Sequence, residues 1–405
     1  MKFIKDMNDK LAPNFEKGGR FEKLYPIWEM HDTGMFTPGE VTQTGSHVRD
    51  GIDLKRMMIT VVLALIPCAG MAMYNTGYQA LLAVAHGGLE LDSWRMAVWG
   101  FIGLAPDFSN PVACLLLGAL FYLPVYITGM LTGAVVEVTS AIIRGHEVNE
   151  GFLVTGMLLP LTLPATIPLW MVVLGMAFGL IFGKEVFGGT GMNFLNPALV
   201  ARAFIFFAYP ASMSGEAPWI AANLTGVDSY SGATLLAQAA ESTSILETAS
   251  WWDAFYGFIP GSMGETSAMA CLIGCAVLLW TKVGSGRTMA GVVVGTIALS
   301  VLLNISGSDT NPMFAVPWYW HMVLGGWALG TVFMATDPVS SAFTNTGKFY
   351  YGLLIGILCV LIRVVNPAYP EGMMLAILFV NMFAPLIDHF VVQGNIQRRQ
   401  ARNAA

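Results

Sequence analysis

Charge is what this 405-residue chain has least of. Only 11% of it is Asp, Glu, Lys or Arg, against about 25% in soluble domains, while 55% is hydrophobic and the mean hydropathy is +0.62. A soluble enzyme is excluded, and the composition is that of an integral membrane protein. Basic residues are missing altogether from one long interval, with no Lys or Arg between Arg202 and Lys282. Cysteine is scarce too. Cys68, Cys114, Cys271, Cys275 and Cys359 all fall in apolar runs, as small core residues do, and do not make a disulfide framework. Cys271 and Cys275 stand one helical turn apart, but no His or acid nearby completes a metal set. The first 56 residues are polar and mixed in charge, with no apolar leader core. Gly188-Gly189-Thr190-Gly191 follows no strand pattern and precedes no Gly-Lys-Ser/Thr, so it is not a phosphate loop. No nucleophile triad, metal cluster or nucleic-acid partner is expected. Any redox chemistry must then belong to a bound cofactor.

What the chain does have is apolar runs, near 57–74, 111–134, 152–165, 169–183, 197–209, 267–281, 288–305, 318–335, 349–365 and 373–393. Several are shorter than the ~20 residues of a simple membrane span, and Pro164 and Pro168 make the pair 152–165 and 169–183 the weakest. Retained Lys and Arg mark the cytoplasmic side. With ten spans, the basic N-terminal segment, Arg144, Lys184, Lys282, Arg287, Lys348 and the Arg398-Arg399-Arg402 tail all fall on that side, leaving Arg95 and Arg363 as exceptions. The expected fold is an all-α polytopic membrane protein of about ten transmembrane helices. Ten divides as five plus five, and an odd repeat inverts the second half relative to the first. The expected organisation is a cytoplasmic segment (1–56), a first five-helix repeat (57–210), an outer loop (211–265), a second repeat (266–393) and a cytoplasmic tail (394–405). Tyr25, Ile27, Trp28, Met35 and Phe36 give the N-terminal segment groups that pack or lie at the membrane interface.

Three polar stretches stand out. The basic-free interval faces away from the cytoplasm and contains Asp228-Ser229-Tyr230-Ser231-Gly232-Ala233-Thr234, which presents the Thr234 hydroxyl there. The plainer reading of that stretch is a helix start with Ser231 as the cap. Two breaks rich in Gly, Asn, Pro and Thr, Phe187–Pro197 and Ala335–Gly347, sit at comparable places in the two halves. Interrupted helices of that kind point to a midmembrane site. Gly189 and Gly191 allow close approach of a flat ligand, and Asn193 and Asn196 supply amide groups; a tight loop with Asn caps accounts for the same residues. Acids inside apolar runs are few. Glu137, after Gly129 and Gly133, and Asp388 are ion or proton ligands, or else partners of basic residues near an interface. His321, in Trp318-Tyr319-Trp320-His321, belongs to an interfacial aromatic belt.

These motifs carry a resemblance. Asp228-x-x-Ser231-Gly232-Ala233-Thr234, Gly188-Gly189-Thr190-Gly191-x-Asn193-x-x-Asn196-Pro197-Ala198, Ala335-Thr336-Asp337-Pro338-Val339 and Arg363–Gly372 resemble the NqrB/RnfD family over essentially the whole chain. That family comprises membrane subunits of sodium-translocating NADH:quinone reductases and of Rnf complexes. The basic N-terminal segment and Trp318–His321 favour the reductase branch. The resemblance implies a urea-transporter-like fold and a covalent FMN, attached by a flavin transferase through its phosphate to Thr234, with Asp228, Ser231, Gly232 and Ala233 as the attachment motif. It also implies a non-covalent riboflavin, assigned to Asn193, Asn196, Gly189 and Gly191. Electrons from NADH would then pass from the other subunits (A, C, D, E and F) to ubiquinone, coupled to outward Na+ movement across the bacterial inner membrane, with Glu137, Asp388 and Gly133 at the ion or quinone path. The competing expectations are an Rnf-type subunit, a channel or transporter without redox chemistry, and a structural anchor.

Overall fold

The computed structural model describes residues 2–16, 18–35, 54–89, 93–145, 148, 151–224, 231–366 and 371–404. Among them the backbone is helical, with one isolated bridge between Leu89 and Asn223 and no strand. Two N-terminal helices, α1 (Lys2–Phe15) and α2 (Tyr25–Met35), pack through Phe15 stacked on Trp28 and an Asn8–Asp32 hydrogen bond of 2.7 Å. Phe36 lies outside the described residues. The first half then runs α3 (Leu54–Ala85), α4 (Trp94–Ile102), α5 (Pro111–Arg144), α6 (Gly151–Leu161), α7 (Leu169–Gly183) and α8 (Pro197–Ala208). Short helices α9 (Leu235–Glu241), α10 (Ile245–Thr248) and α11 (Trp251–Tyr256) fold the basic-free interval. The second half is α12 (Ala268–Trp280), α13 (Gly286–Ser306), α14 (Trp318–Val323), α15 (Trp327–Leu329), α16 (Asn345–Val365) and α17 (Met373–Ala404), with α15 continuing as a π-helical turn over Gly330–Met334.

Six helices, α3, α5, α7, α13, α16 and α17, are long and apolar enough to cross a membrane, and α6, α8 and α12 are shorter apolar helices. The eighth expected span, 318–335, is broken at Gly325-Gly326 between α14 and α15. The ten apolar runs thus become ten helical segments of a polytopic all-α protein. α17 continues as helix without interruption through Arg398, Arg399 and Arg402, so residues 394–404 prolong the last span.

The halves repeat a packing pattern. α5 lies on α7 and α7 on α8; α13 lies on α16 and α16 on α17. Chain order also corrects the pairing of the breaks. The break after the third span of each half is 162–168 in the first and 335–344 in the second. The Gly188–Asn196 break follows the fourth span, as 366–372 does in the second half. Asn196-Pro197 and Asn366-Pro367 recur at those fourth-span positions, although residues 367–370 lie outside the described ones.

Inside a membrane, helices gain little by hiding apolar surface from lipid, so they associate where small residues let backbones touch. A Cβ on Gly118 of α5 would collide with the Met73 carbonyl oxygen of α3, and one on Gly77 would collide with that of Cys114. The α13–α16 seam is built the same way, with Gly291 against Phe349 O and Gly352 against Thr288 O. Gly118→Ala is therefore expected to force α3 and α5 apart and cost at least the ~1–3 kcal/mol typical of overpacking. Gly100→Ala, with nothing within 4 Å of the new methyl, is expected to be neutral. Thermal unfolding in detergent compares the two, and equal transition temperatures would contradict the close seam.

Candidate functional site

Two polar pockets lie within this frame, each backed by buried ion pairs. The first is at Thr234. Residues 225–230, including Asp228, lie outside the described ones; the motif enters the structure at Ser231. The helix cap is Thr234 and not Ser231. Thr234 Oγ1 accepts from Ala237 N (3.2 Å) at the start of α9, while Ser231 Oγ accepts from Ala233 N (3.2 Å) one turn earlier. Gln238 Nε2 donates to Ala233 O at 2.7 Å and closes the turn. Gly232 is buried, and a Cβ there would collide with Glu216 O. Glycine is thus required at that position by contact with a neighbouring stretch of backbone. Ser231 is exposed and Thr234 half-buried, and Thr234 lines a pocket shared with Ser262, Glu265, Leu324, Gly325 and Glu371.

Behind that pocket are four charged groups drawn from both halves. Arg202 of α8 holds Glu265 with both guanidinium nitrogens (2.8 and 3.2 Å) and Glu371 at 3.0 Å. Arg363 of α16, fully buried, donates to three carbonyl oxygens: Glu371 (3.0 Å), His321 (2.6 Å) and Leu324 (2.8 Å). Two Arg and two Glu leave the group without net charge, as burial demands. Arg363 was an exception to the sidedness count, and its burial explains why: its charge is spent inside the protein, where the loop-charge rule does not apply. Arg95, the other exception, lies over the rings of Trp94 and Phe121 at 5.3 and 5.1 Å. His321 also departs from expectation. Trp318 and Tyr319 are exposed as an aromatic belt requires, but Trp320 and His321 are buried.

The second pocket joins the Gly188–Pro197 and Ala335–Val339 breaks, which face one another across it. Gly188, Gly189 and Gly191 all have positive φ (119°, 96° and 92°), conformations that glycine adopts without strain. Asn196 caps α8, accepting from Ala198 N (3.0 Å) and Leu199 N (3.3 Å), and Asn193 donates to Leu195 O at 2.9 Å. The tight-loop reading accounts for these bonds, and the same residues nonetheless line the pocket. Its open space is about 60 Å³, room for a few waters. Asp337 turns the facing break by accepting from Ser340 Oγ (2.6 Å) and Val339 N (3.3 Å).

Lys184 lines this pocket and is 3% exposed. Its ammonium pairs with Glu137, lies 3.4 Å from Glu185 and donates to Thr190 Oγ1 at 3.3 Å. Arg144 reaches Glu185 at 3.7 Å. Gly133, one turn before Glu137, leaves room for Met176 of α7, whose Cε would be 2.7 Å from a Cβ there. Asp388 is not brought to Glu137. It accepts from Phe343 N (2.6 Å), Thr344 N (2.9 Å) and Thr344 Oγ1 (2.5 Å), fixing the second break against α17. Sequence reasoning singled out Glu137 and Asp388 but not Lys184, Arg202, Glu265 or Glu371. The available signal was an Arg inside an apolar run, present at both Arg202 and Arg363.

Fold and pockets together define a polytopic α-helical membrane protein with two polar pockets, each walled by a buried group of ion pairs. The chain belongs to the NQR2, RnfD, RnfE family, which it matches over residues 41–397. It is 57% identical over 406 residues to the B subunit of the Na(+)-translocating NADH-quinone reductase of Pseudomonas paraeruginosa (strain DSM 24068 / PA7), covering 99% of each chain. It is 57% identical over 407 residues to the protein of the same name from Azotobacter vinelandii (strain DJ / ATCC BAA-1303), again with 99% of each covered. To the protein of that name from Chromohalobacter salexigens the chain is 55% identical over 404 residues, covering 99% of this chain and 97% of the other.

The ion pair beside the second pocket carries a stability prediction. Lys184→Met removes the ammonium that Glu137 faces, and breaking a buried pair from one side costs about 3–5 kcal/mol. The double variant Lys184→Met/Glu137→Gln is expected to recover most of that loss. Thermal inactivation in detergent measures both, and a double variant no better than the single would contradict the pairing.

Proposed function

We propose that the chain is the membrane-embedded B subunit of a sodium-translocating NADH–quinone reductase of the bacterial inner membrane. In this reading it works with the A, C, D, E and F subunits, carries FMN and riboflavin, delivers electrons to ubiquinone, and takes part in outward Na+ movement. Its termini face the cytoplasm and the Thr234 loop faces the periplasm. The observation that carries the reading is identity of 55–57% along the whole length of proteins bearing that subunit's name.

The Thr234 site fits a covalently attached FMN. Thr234 is half-buried in the lining of a pocket, on a turn whose next two residues upstream are Ala233 and Gly232. The two residues before Thr234 thus add no bulk on that side, and the exposed Ser231 leaves the approach polar. Bound flavin would supply the electron-carrying ring that the protein's own side chains do not. The chain's part is to hold that group at one fixed point, with Gly232 keeping the turn against Glu216.

Riboflavin is assigned to the second pocket, which Asn193 and Asn196 line; Gly189 and Gly191 shape the same loop but are not in the pocket's lining. In the conformation described, about 60 Å³ is too little for a flavin ring, so the two breaks must part to admit one. Glu137 and Asp388 are the proposed acids of the Na+ path, with Gly133 setting how closely α7 approaches Glu137.

Two measurements test this reading. In-gel fluorescence of the denatured subunit, made together with its flavin transferase, is expected to show a flavin band that Thr234→Val abolishes; Asn193→Ala and Asn196→Ala are expected to keep that band and lose the extractable riboflavin. A wild-type subunit with no band would return Thr234 to a helix cap and favour a transporter without redox chemistry. Second, Glu137→Gln and Asp388→Asn are each expected to shift the sodium dependence of turnover, and unchanged dependence in both would remove them from the ion path.

A further inference from the structure

Ser262 is 2% exposed, and its Oγ meets no partner at hydrogen-bond geometry; its neighbour is the Glu265 carboxylate. A buried hydroxyl left in that state is costly, and native proteins satisfy nearly all such groups with protein, water or an ion. Ser262 lines the pocket at Thr234 together with Glu265, Thr266 and Glu371, and no Lys, Arg or His is in that lining. The space is about 20 Å³, little more than one water. Size excludes an organic group or a hydrated ion there. It does not exclude one bare small cation.

The oxygens around that space differ in how far they are already committed. Arg202 takes both oxygens of Glu265, at 2.8 and 3.2 Å. Of Glu371 it takes only Oε2, at 3.0 Å. Glu371 Oε1 lies instead towards Gly325, 3.8 Å from where a Cβ on that glycine would stand, and Gly325 lines the pocket. Thr266 Oγ1 accepts from Asn75 Nδ2 at 3.3 Å and keeps a second lone pair. The lining therefore offers a carboxylate oxygen and two hydroxyls, the all-oxygen surroundings that hard cations take.

Charge limits the valence of such an ion. Arg202 and Arg363 balance Glu265 and Glu371, so a bound cation adds its whole charge to a buried neutral group, and two charges cost far more than one. Arg363 Nη2 also stands 3.3 Å from the Gly325 Cβ position, which weakens the site. Weak holding suits an ion that must leave again. We propose that this pocket binds one small monovalent cation of the sodium class, with Glu371 and Ser262 as ligands. The site needs no flavin at Thr234. It rests on the proposed sodium movement only for the choice of ion, and it adds to Glu137 and Asp388 a station on the side proposed to face the periplasm.

Crystals of the complete complex soaked in a thallous salt test the site, because Tl+ replaces alkali cations and scatters anomalously. The expected result is an anomalous peak between Ser262 and Glu371 that excess sodium displaces and calcium does not. Glu371→Gln is expected to abolish the peak and Ser262→Ala to weaken it. Glu216→Gln, which removes an exposed acid outside the lining, is expected to keep it. A wild-type map without a peak at that place means a bound water only and overturns the inference. A peak that persists under excess sodium, or is unchanged in both pocket variants, marks an adventitious ion only and overturns it as well. If the variants do not assemble, the wild-type map and the sodium competition decide. Unchanged sodium dependence of turnover in Glu137→Gln and Asp388→Asn would remove those acids from the path and leave this site to its own map.

Discussion

Everything in this structure answers to the cost of placing charge where water is absent. The chain has few ionisable residues, and the structure gathers eight of them into two groups in which acids and bases balance. Arg202 and Arg363 stand with Glu265 and Glu371; Lys184 and Arg144 stand with Glu137 and Glu185. Neither group is an isolated pair. Each draws on distant parts of the chain, so the helices cannot separate without exposing a charge to a medium that cannot solvate it. The broken helices obey the same constraint. The loop from Gly188 to Asn196 and the turn at Asp337 satisfy their own backbone with Asn and Asp side chains, which lets irregular structure exist beside apolar helices.

Much of the fold was legible in the sequence, because membrane insertion writes a strong one-dimensional signal. The ten apolar runs correspond to ten helical segments; α13 and α16 extend only a few residues past the expected ends, while α3, α5 and α17 run on to Ala85, Arg144 and Ala404, well past theirs. The breaks were legible through Gly, Pro and Asn. The ion pairs were not. Arg202 meets Glu265 across 63 residues and Glu371 across 169, and no periodicity encodes such a meeting. The cap at Thr234 was misplaced by three residues for a related reason. Ser231 and Thr234 have the same capping chemistry, so local sequence does not say which of them begins the helix, and Gly232 between them is held against Glu216, outside the motif.

The two pockets also divide the protein's polar chemistry in an ordered way. One joins breaks from each half, at the fourth span of the first and the third of the second. The other joins the interval between the halves to Leu324, Gly325 and Glu371 of the second half, with Arg202 of α8 bonded to its two carboxylates from behind. Neither pocket is complete within one half. That arrangement gives a reason for the tight glycine seams within each half: they make each half a firm body, against which the pocket walls are set.

The last helix carries a mechanical consequence. α17 has 32 residues, which at 1.5 Å per residue is about 48 Å, well beyond the ~30 Å hydrocarbon layer. Its final three turns, with Arg398, Arg399 and Arg402, are therefore a stiff post rooted in the second half. Whatever docks on that post is held at a fixed height and bearing, and any tilt of α17 is magnified at its tip.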